Sequence, residues 1–265
     1  MRKPLISIII PTKDSDATIR KCLESILNQT YANIELIVVD SYSRDETRKI
    51  AENYGAAVFE TDAERSQARN IGARKSLGDF VFFIDSDMQL DSSVVAECVK
   101  KTREGNKAVI VPEVSVGEGF WAKCKALEKS CYVGDDSIEA ARFFEKSAFE
   151  KIGGYDPDLE AGEDWELNQR VLHARCKVGR VRSTILHDEG KLSLKKTIMK
   201  KYYYGKMLKP YMTKHPRDVK PQLGPARLVF LKRWKRLIAD PTHAVGMLFM
   251  KTCEFGLGWI GYKNR

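Results

Sequence analysis

Asp79-Phe80-Val81-Phe82-Phe83-Ile84-Asp85-Ser86-Asp87 is an apolar run that ends abruptly in two carboxylates one residue apart. A short apolar run rich in aromatic and β-branched residues reads as a strand buried on both faces. Side chains alternate along a strand, so Asp85 and Asp87 start on the same side as the chain leaves the sheet. Two like charges that close repel unless a cation or hydrogen-bond donors compensate them. A hard divalent cation, Mg²⁺ or Mn²⁺, itself held to phosphate oxygens, is the natural compensator. Ligands of open α/β sheets bind beyond the carboxyl ends of the strands, where this pair sits. The competing reading is a solvated strand-to-helix turn capped by Asp91-Ser92-Ser93.

Strand and helix patterns alternate on both sides of this run. Residues 5–10 (Leu-Ile-Ser-Ile-Ile-Ile) read as a buried strand stopped by Pro11, and Asp16 to Gln29 has helical spacing at Ile19, Leu23, Ile26 and Leu27. Ile34 to Val39 is a second strand ending at Asp40, Asp45 to Tyr54 a helix, Ala56 to Phe59 a short strand, and Arg65 to Leu77 a helix closed by Gly78. A helix over 91–103 and a strand over 108–111 follow the opening run. This interval predicts an α/β fold with a mostly parallel, mixed sheet flanked by helices. Past Pro112 the pattern predicts helices over 119–132 and 164–173, and strands over 140–144 and 178–186. The sheet domain is expected to close near residue 190, with halves of about 1–112 and 113–190. A basic helical extension, punctuated by Pro210, Pro216, Pro221, Pro225 and Pro241, then occupies 191–265.

The net charge of +9 is unevenly placed. Residues 191–236 carry fifteen Lys and Arg against one acid, Asp218, and residues 237–265 add one further net positive charge, which leaves about −6 on the first 190. An acidic front with a basic tail calls for a polyanion, either nucleic acid or anionic lipid and lipid phosphates. The six cysteines are scattered without a C-x-x-C pair, as expected for reduced thiols. The apolar stretch before Lys13 is too short for a signal peptide, so the expected location is cytoplasmic.

The motifs, taken in order, resemble those of the family 2 glycosyltransferases. Ile8-Ile9-Ile10-Pro11-Thr12, Leu23 to Tyr31 and Glu35 to Asp40 look like that family's opening. Ala68-Arg69-Asn70-Ile71-Gly72 resembles its A-R-N-x-G motif, Asp85-Ser86-Asp87 its metal-binding D-x-D, and Gly153-Gly154-Tyr155 with Gly162-Glu163-Asp164 its acceptor-side signature. Gln89 extends Asp85-Ser86-Asp87 to a D-x-D-x-Q similar to that of dolichyl-phosphate mannose synthases.

The resemblance implies the Rossmann-like GT-A fold and an inverting, metal-dependent transfer of sugar from a nucleoside diphosphate, with UDP favoured and GDP possible. It implies donor contacts at Pro11, Thr12, Asp14, Asp40, Arg65, Arg69, Asp85 and Ser86. A Mn²⁺ or Mg²⁺ ion is implied at Asp85, Asp87 and His187. Asp164 is implied as general base beside Glu163, and acceptor contacts at Gly154, Tyr155 and Trp165.

The tail alternates cations with aromatics, as in Lys200-Lys201-Tyr202-Tyr203-Tyr204. Over Leu228 to Ile238, helical spacing puts Phe230, Leu231, Trp234, Leu237 and Ile238 on one face and Lys232, Arg233 and Arg236 largely on the other. That composition suits a helix lying in a membrane interface. Ala244 to Tyr262 is apolar but interrupted by Lys251, Glu254 and four glycines, which predicts a monotopic anchor or a packed helical hairpin rather than a span. Family members with such tails act on lipid-linked or polyprenyl-phosphate acceptors, so the expected place of work is the inner face of the cell membrane, with no nucleic-acid partner.

Two other readings compete. A sugar-nucleotidyltransferase would want a glycine-rich loop after the first strand, where Pro11-Thr12-Lys13-Asp14 stands. A non-enzymatic lipid- or nucleic-acid-binding protein would leave Asp85, Asp87 and Asp164 unexplained.

Overall fold

The computed structural model describes residues 2–136, 138–214 and 228–264. In chain order the elements begin β1 (Ile6–Thr12), α1 (Asp16–Leu27), β2 (Ile34–Asp40), α2 (Thr47–Asn53), β3 (Ala57–Glu60), α3 (Arg65–Lys75), β4 (Phe80–Phe83), β5 (Met88–Leu90), α4 (Val94–Arg103) and β6 (Ala108–Ile110). They continue with β7 (Glu113–Glu118), α5 (Phe120–Tyr132), β8 (Phe143–Glu145), α6 (Lys146–Lys151), α7 (Glu163–His173), β9 (Val178–Arg180) and β10 (Ile185–Lys191). The remaining described helices are α8 (Leu194–Met207), α9 (Lys209–Lys214), α10 (Leu228–Lys232), α11 (Trp234–Ala239) and α12 (Pro241–Lys263). Pro216, Pro221 and Pro225, read above as helix breaks, lie outside the described residues.

Two compact units interleave along the chain. The first comprises residues 1–112, 140–157 and 164–186, the second 113–139, 158–163 and 187–265. Residues 113–139, grouped by sequence with an acceptor half, are thus counted with the C-terminal helices.

The first unit is the expected mixed sheet, in the order β3-β2-β1-β4-β8-β6-β9. β1 runs parallel to β2 and β4, β2 to β3, and β6 to β9, while β8 is antiparallel to both β4 and β6. One face buries Ile6, Ile8 and Ile10 against Ile19, Leu23 and Ile26 of α1 and Val94, Val95 and Cys98 of α4. The other buries Ile9, Ile37 and Val39 against Ala68 of α3, with Phe83 packed near Leu167 of α7. Both faces are covered, which is why the strands are written as unbroken apolar runs. Burying each Ile contributes about 1.5–3 kcal/mol. Gly72 lets α3 lie directly on the sheet, because a Cβ there would collide with Ile9 Cγ2.

The strand expected over 178–186 is instead two, β9 and β10, separated by a corner. Glu97 Oε2 of α4 accepts from the backbone N–H groups of Arg182 (2.9 Å) and Ser183 (3.2 Å), and Asp91 accepts from the Thr184 N–H at 2.8 Å. These carboxylates satisfy the corner's donors, so the chain can leave one strand and begin the next.

In the second unit β7 pairs with β10, and α5, α8 and α12 pack around Cys124, Met247 and Met250. α8 and α12 meet backbone to backbone: a Cβ on Gly205 would collide with Gly258 O, and one on Gly261 with Tyr202 O. Residues 244–262 lie within the single helix α12, so the stretch does not fold back on itself as a hairpin. Asp240 caps it, accepting from the His243 N–H at 3.3 Å, and Pro241 opens it. No helix among the described residues is long and apolar enough to cross a membrane.

A square of buried charge links α5 to α12. Lys125 contacts Glu128 at 2.8 Å and Glu254 at 3.2 Å, while Lys251 contacts Glu128 at 2.9 Å and Glu254 at 2.8 Å. Burial pushes both carboxyls up, but the two ammonium groups outweigh it and hold them below the usual range. Lys201 of α8 lies beside this square. Burial first, then the charge of Lys125, lowers its pKa to about 8.

The single amphipathic helix expected over 228–238 is split at Arg233, and its faces differ from the expectation. Phe230 turns inward against Tyr132, with ring centroids 5.7 Å apart, and Leu237 packs on the Met247 cluster. Arg233 Nη2 donates to Val133 O at 2.9 Å and Arg236 Nη1 to Ser130 O at 2.5 Å, satisfying carbonyls at the end of α5. Trp234, Lys232 and Tyr203 are exposed, and Tyr202 is half-buried with the Lys206 ammonium 4.8 Å from its ring centre.

Candidate active site

β4 delivers Asp85 into a nest of arginines. Arg69 Nη2 lies 2.7 Å from Asp85 Oδ1 and Arg142 Nη1 lies 3.7 Å from Asp85 Oδ2. Burial would raise the Asp85 pKa, but Arg69, Arg142 and Arg65 together hold it far below the usual carboxylate range. Arg69, only 1% exposed, also reaches Asp164 of α7, with Nη1 3.4 Å from Oδ1. Its guanidinium carbon lies 5.0 Å from the centre of the Tyr155 ring. One buried guanidinium therefore touches a strand-end carboxylate, a helix-start carboxylate and an aromatic face. Cys22 lies against this turn, its thiol pushed well above the usual range by burial and then by Asp87 and Asp85, so it is no nucleophile.

The ends of β1 and β2 lie side by side, with Thr12 paired to Asp40. Asp40 is fully buried. Its Oδ1 accepts from Thr12 Oγ1 (2.8 Å) and Ser43 Oγ (2.6 Å), and its Oδ2 from the Ser43 N–H (2.8 Å). It thus holds the loop after β2. Asp14 sits at φ 46°, exposed, with Oδ1 accepting from the Arg44 N–H at 2.9 Å. Pro11 is half-buried next to Thr12, and Ser86 Oγ donates to Ser15 Oγ at 3.0 Å. Gln89 lines an open surface pocket of about 280 Å³ with Lys21, Glu24 and Asn28.

In the turn after α6, Gly153 and Gly154 take φ 88° and 65°. A Cβ on Gly154 would lie 2.6 Å from Asn70 Oδ1, so the turn requires glycine for both conformation and space. Tyr155, expected to face the acceptor, is instead fully buried. It stacks edge-on against Phe83 (5.2 Å, 86°) beneath Arg69, because the turn drives its ring into the core. Of the acids opening α7, Glu163 is buried while the Asp164 side chain is 31% exposed, so Asp164 is the one open to a reactant. Trp165 is half-buried.

His187, in the second unit, is held by its neighbours. Its Nδ1 lies 2.9 Å from Lys129 Nζ and 3.6 Å from Glu113 Oε2, and Lys129 also contacts Glu189 at 3.2 Å. An ammonium only donates, so in this contact Nδ1 accepts from Lys129. Among the described residues no group of three or more His, Cys, Asp or Glu is placed to hold a metal ion. Sequence reasoning missed Arg142, Asn70 and Lys129. A lone Arg inside the apolar stretch Ala141-Arg142-Phe143-Phe144 was the available signal for the first, since a buried cation needs an acid.

Solved structures share this fold. The mannosyltransferase PcManGT from Pyrobaculum calidifontis, in complex with GDP-Man and Mn²⁺, superposes with a TM-score of 0.67 at 18% identity, covering 99% of this chain and 88% of that one. S. aureus TarS 1-349 in complex with UDP-GlcNAc gives 0.60 at 14% identity, covering 98% of this chain and 91% of that one.

A PGL/p-HBAD biosynthesis glycosyltransferase of Mycobacterium tuberculosis is 26% identical over 255 residues, 90% of this chain and 94% of the relative. Glycosyltransferase GlyA of Streptococcus pneumoniae is 27% identical over 206 residues, 65% of this chain, but the match spans only 29% of GlyA. The model of glycosyl transferase family 2 matches residues 7–155, more than half of the chain and every motif from the first strand to Tyr155. The sheet and that match agree: this chain belongs to glycosyl transferase family 2.

Proposed function

We propose that the protein moves a sugar, with inversion, from a nucleoside-diphosphate sugar to a hydroxyl or phosphate of a lipid-linked or polyprenyl-phosphate acceptor at the cytoplasmic face of a membrane. The observation that carries this reading is Arg69, which ties the donor-side carboxylate Asp85 and the acceptor-side carboxylate Asp164 to one buried guanidinium. A hydroxyl oxygen attacks the anomeric carbon while its proton passes to Asp164; a phosphate oxygen, already ionised, attacks with no proton to pass. The bond from that carbon to the diphosphate oxygen breaks, and its electron pair leaves on the diphosphate. A single displacement inverts the centre and needs no covalent nucleophile. Arg65, Arg69 and Arg142 supply fixed positive charge toward the leaving group.

Asp85 and Asp87 are hard oxygen donors, and the described residues offer no three-ligand cage. That donor set fits Mg²⁺ or Mn²⁺, which bind through one or two carboxylates and complete their shell with water and substrate phosphates. Such an ion, when bound, neutralises charge on the departing diphosphate. A UDP-sugar is the favoured donor and a GDP-sugar the second. The lipid-borne acceptor draws its support from the basic C-terminal helices.

A panel of UDP- and GDP-sugars, assayed for nucleoside diphosphate release with Mn²⁺ or Mg²⁺, tests the reading. One donor should turn over, and Asp164→Asn should reduce its turnover about a hundredfold or more. Full activity in both Asp164→Asn and Asp87→Ala would sink it.

A further inference from the structure

The longest helix of the second unit is apolar on the side it buries and also on the side it shows. Ala244, Met247, Met250 and Gly261 face inward. The outward positions are Val245, Leu248, Phe249, Thr252, Gly256, Trp259, Ile260 and Lys263, steps of three and four that form a single stripe. Its five large apolar side chains are between 46% and 69% exposed. A helix packed on one face and meeting water on the other is ordinarily polar outside, and contiguous apolar surface of this kind marks an interaction site. Leu231, Trp234 and Ile238, each more than half exposed, repeat the pattern on α10 and α11.

The charge around the stripe indicates what covers it. Exposed charge on α8 and α10–α12 is basic: Lys195, Lys196, Lys200, Lys232, Lys235, Arg236 and Lys263. The two acids of these described helical segments are engaged elsewhere, Asp240 with His243 at 2.8 Å and Glu254 in the buried square. At the end of α12, Trp259 stacks on Tyr262 (5.6 Å, 25°) and the Lys263 ammonium lies 5.3 Å from the Trp259 ring centre. An aromatic and a cation together suit the headgroup level of a bilayer. A second copy of this chain would bring the same positive charge to the contact, which disfavours self-association.

We propose that α12 lies in the plane of an anionic phospholipid surface, with Val245, Leu248, Phe249, Trp259 and Ile260 inserted below the headgroups and the surrounding lysines on the phosphates. Arg233, half-buried, is bound to Val133 O, whereas Arg236 gives one Nη to Ser130 O and stays exposed. The helix lies flat because it does not span. This deepens the reading of a lipid-borne acceptor and rests on it for its purpose, but the test needs no sugar transfer.

The test is flotation of the full chain with vesicles of pure phosphatidylcholine and of phosphatidylcholine with 30% phosphatidylglycerol, a composition set by the experiment. The expected result is binding to the anionic vesicles, weakened by salt, and at least about tenfold weaker for Leu248→Glu/Phe249→Glu. Brominated lipid should quench the wild-type tryptophan emission, and Trp259→Phe should lose much of that quenching, which keeps the test decisive if the double variant misfolds. Donor turnover in detergent-free buffer should be unchanged in Leu248→Glu/Phe249→Glu; its failure in all variants would sink the transfer reading alone. Absence of binding, equal binding by the double variant, unquenched Trp259, or a wild-type dimer that the double variant dissolves would each overturn the proposal.

Discussion

Asn70 holds Tyr155 by both ends of its amide: Nδ2 donates to Tyr155 O at 2.7 Å and Oδ1 accepts from the Tyr155 N–H at 2.9 Å. The bracket joins α3 to the glycine turn 85 residues later and sets the ring on which Arg69 rests. Asn70→Ala should therefore leave two backbone groups without their partner and destabilise the protein by about 2–3 kcal/mol. Gly154→Ala should cost a similar amount through strain at positive φ and contact with Asn70. In a double-mutant cycle the two losses should fall short of additivity, because either change breaks the same bracket. Denaturant midpoints measure this, and strict additivity would refute it.

Asp85 compensates a group of guanidiniums. Asp85→Asn should leave Arg69 and Arg142 with less negative charge between them and reduce stability by about 3 kcal/mol. Nucleoside diphosphate, whose phosphates replace the lost charge, should restore part of the difference in a thermal shift measurement.

Acid should loosen the square in the second unit. Glu128 and Glu254 have carboxyls held below their usual value by Lys125 and Lys251, against burial. Their stabilisation is complete above the unfolded value of about 4.3 and is lost as pH falls through the lower folded value. Unfolding free energy measured from pH 6 down to 3 should fall, with a shallower slope in Glu254→Gln. An unchanged slope would remove the square from the account.

Lys201 works in the opposite direction. Its pKa, lowered to about 8 by burial and Lys125, means that the folded state disfavours its charged form. Lys201→Met should raise the melting temperature at pH 7. The gain should shrink between pH 8 and about 10.4, where the wild-type folded state releases the proton that the unfolded state still binds. A gain independent of pH would point to packing alone.

Much of the first unit was legible before any coordinates. A strand covered on both faces must be apolar throughout, so β1, β2 and β4 could be read directly, as could the carboxylates where β4 ends. The corner at 181–184 was not legible, because Glu97 and Asp91, which satisfy its backbone, lie more than eighty residues earlier. Tyr155 looked like an acceptor contact from its place in a motif. Its burial follows from the direction the Gly153-Gly154 turn gives the chain, and that direction depends on Asn70.

What the sequence by itself determined was periodicity and order: where strands and helices fall, which carboxylates follow them, and that the tail is basic and apolar. These are local properties, written within a few residues. Only the tertiary structure decided the partners, because a charge's neighbour depends on chain separations that no local period encodes. Arg142 beside Asp85, Lys129 on His187 and Arg233 on Val133 are such pairs. The same holds for α12, where apolar residues occur on both sides and only packing against α5 and α8 decides which face is left exposed.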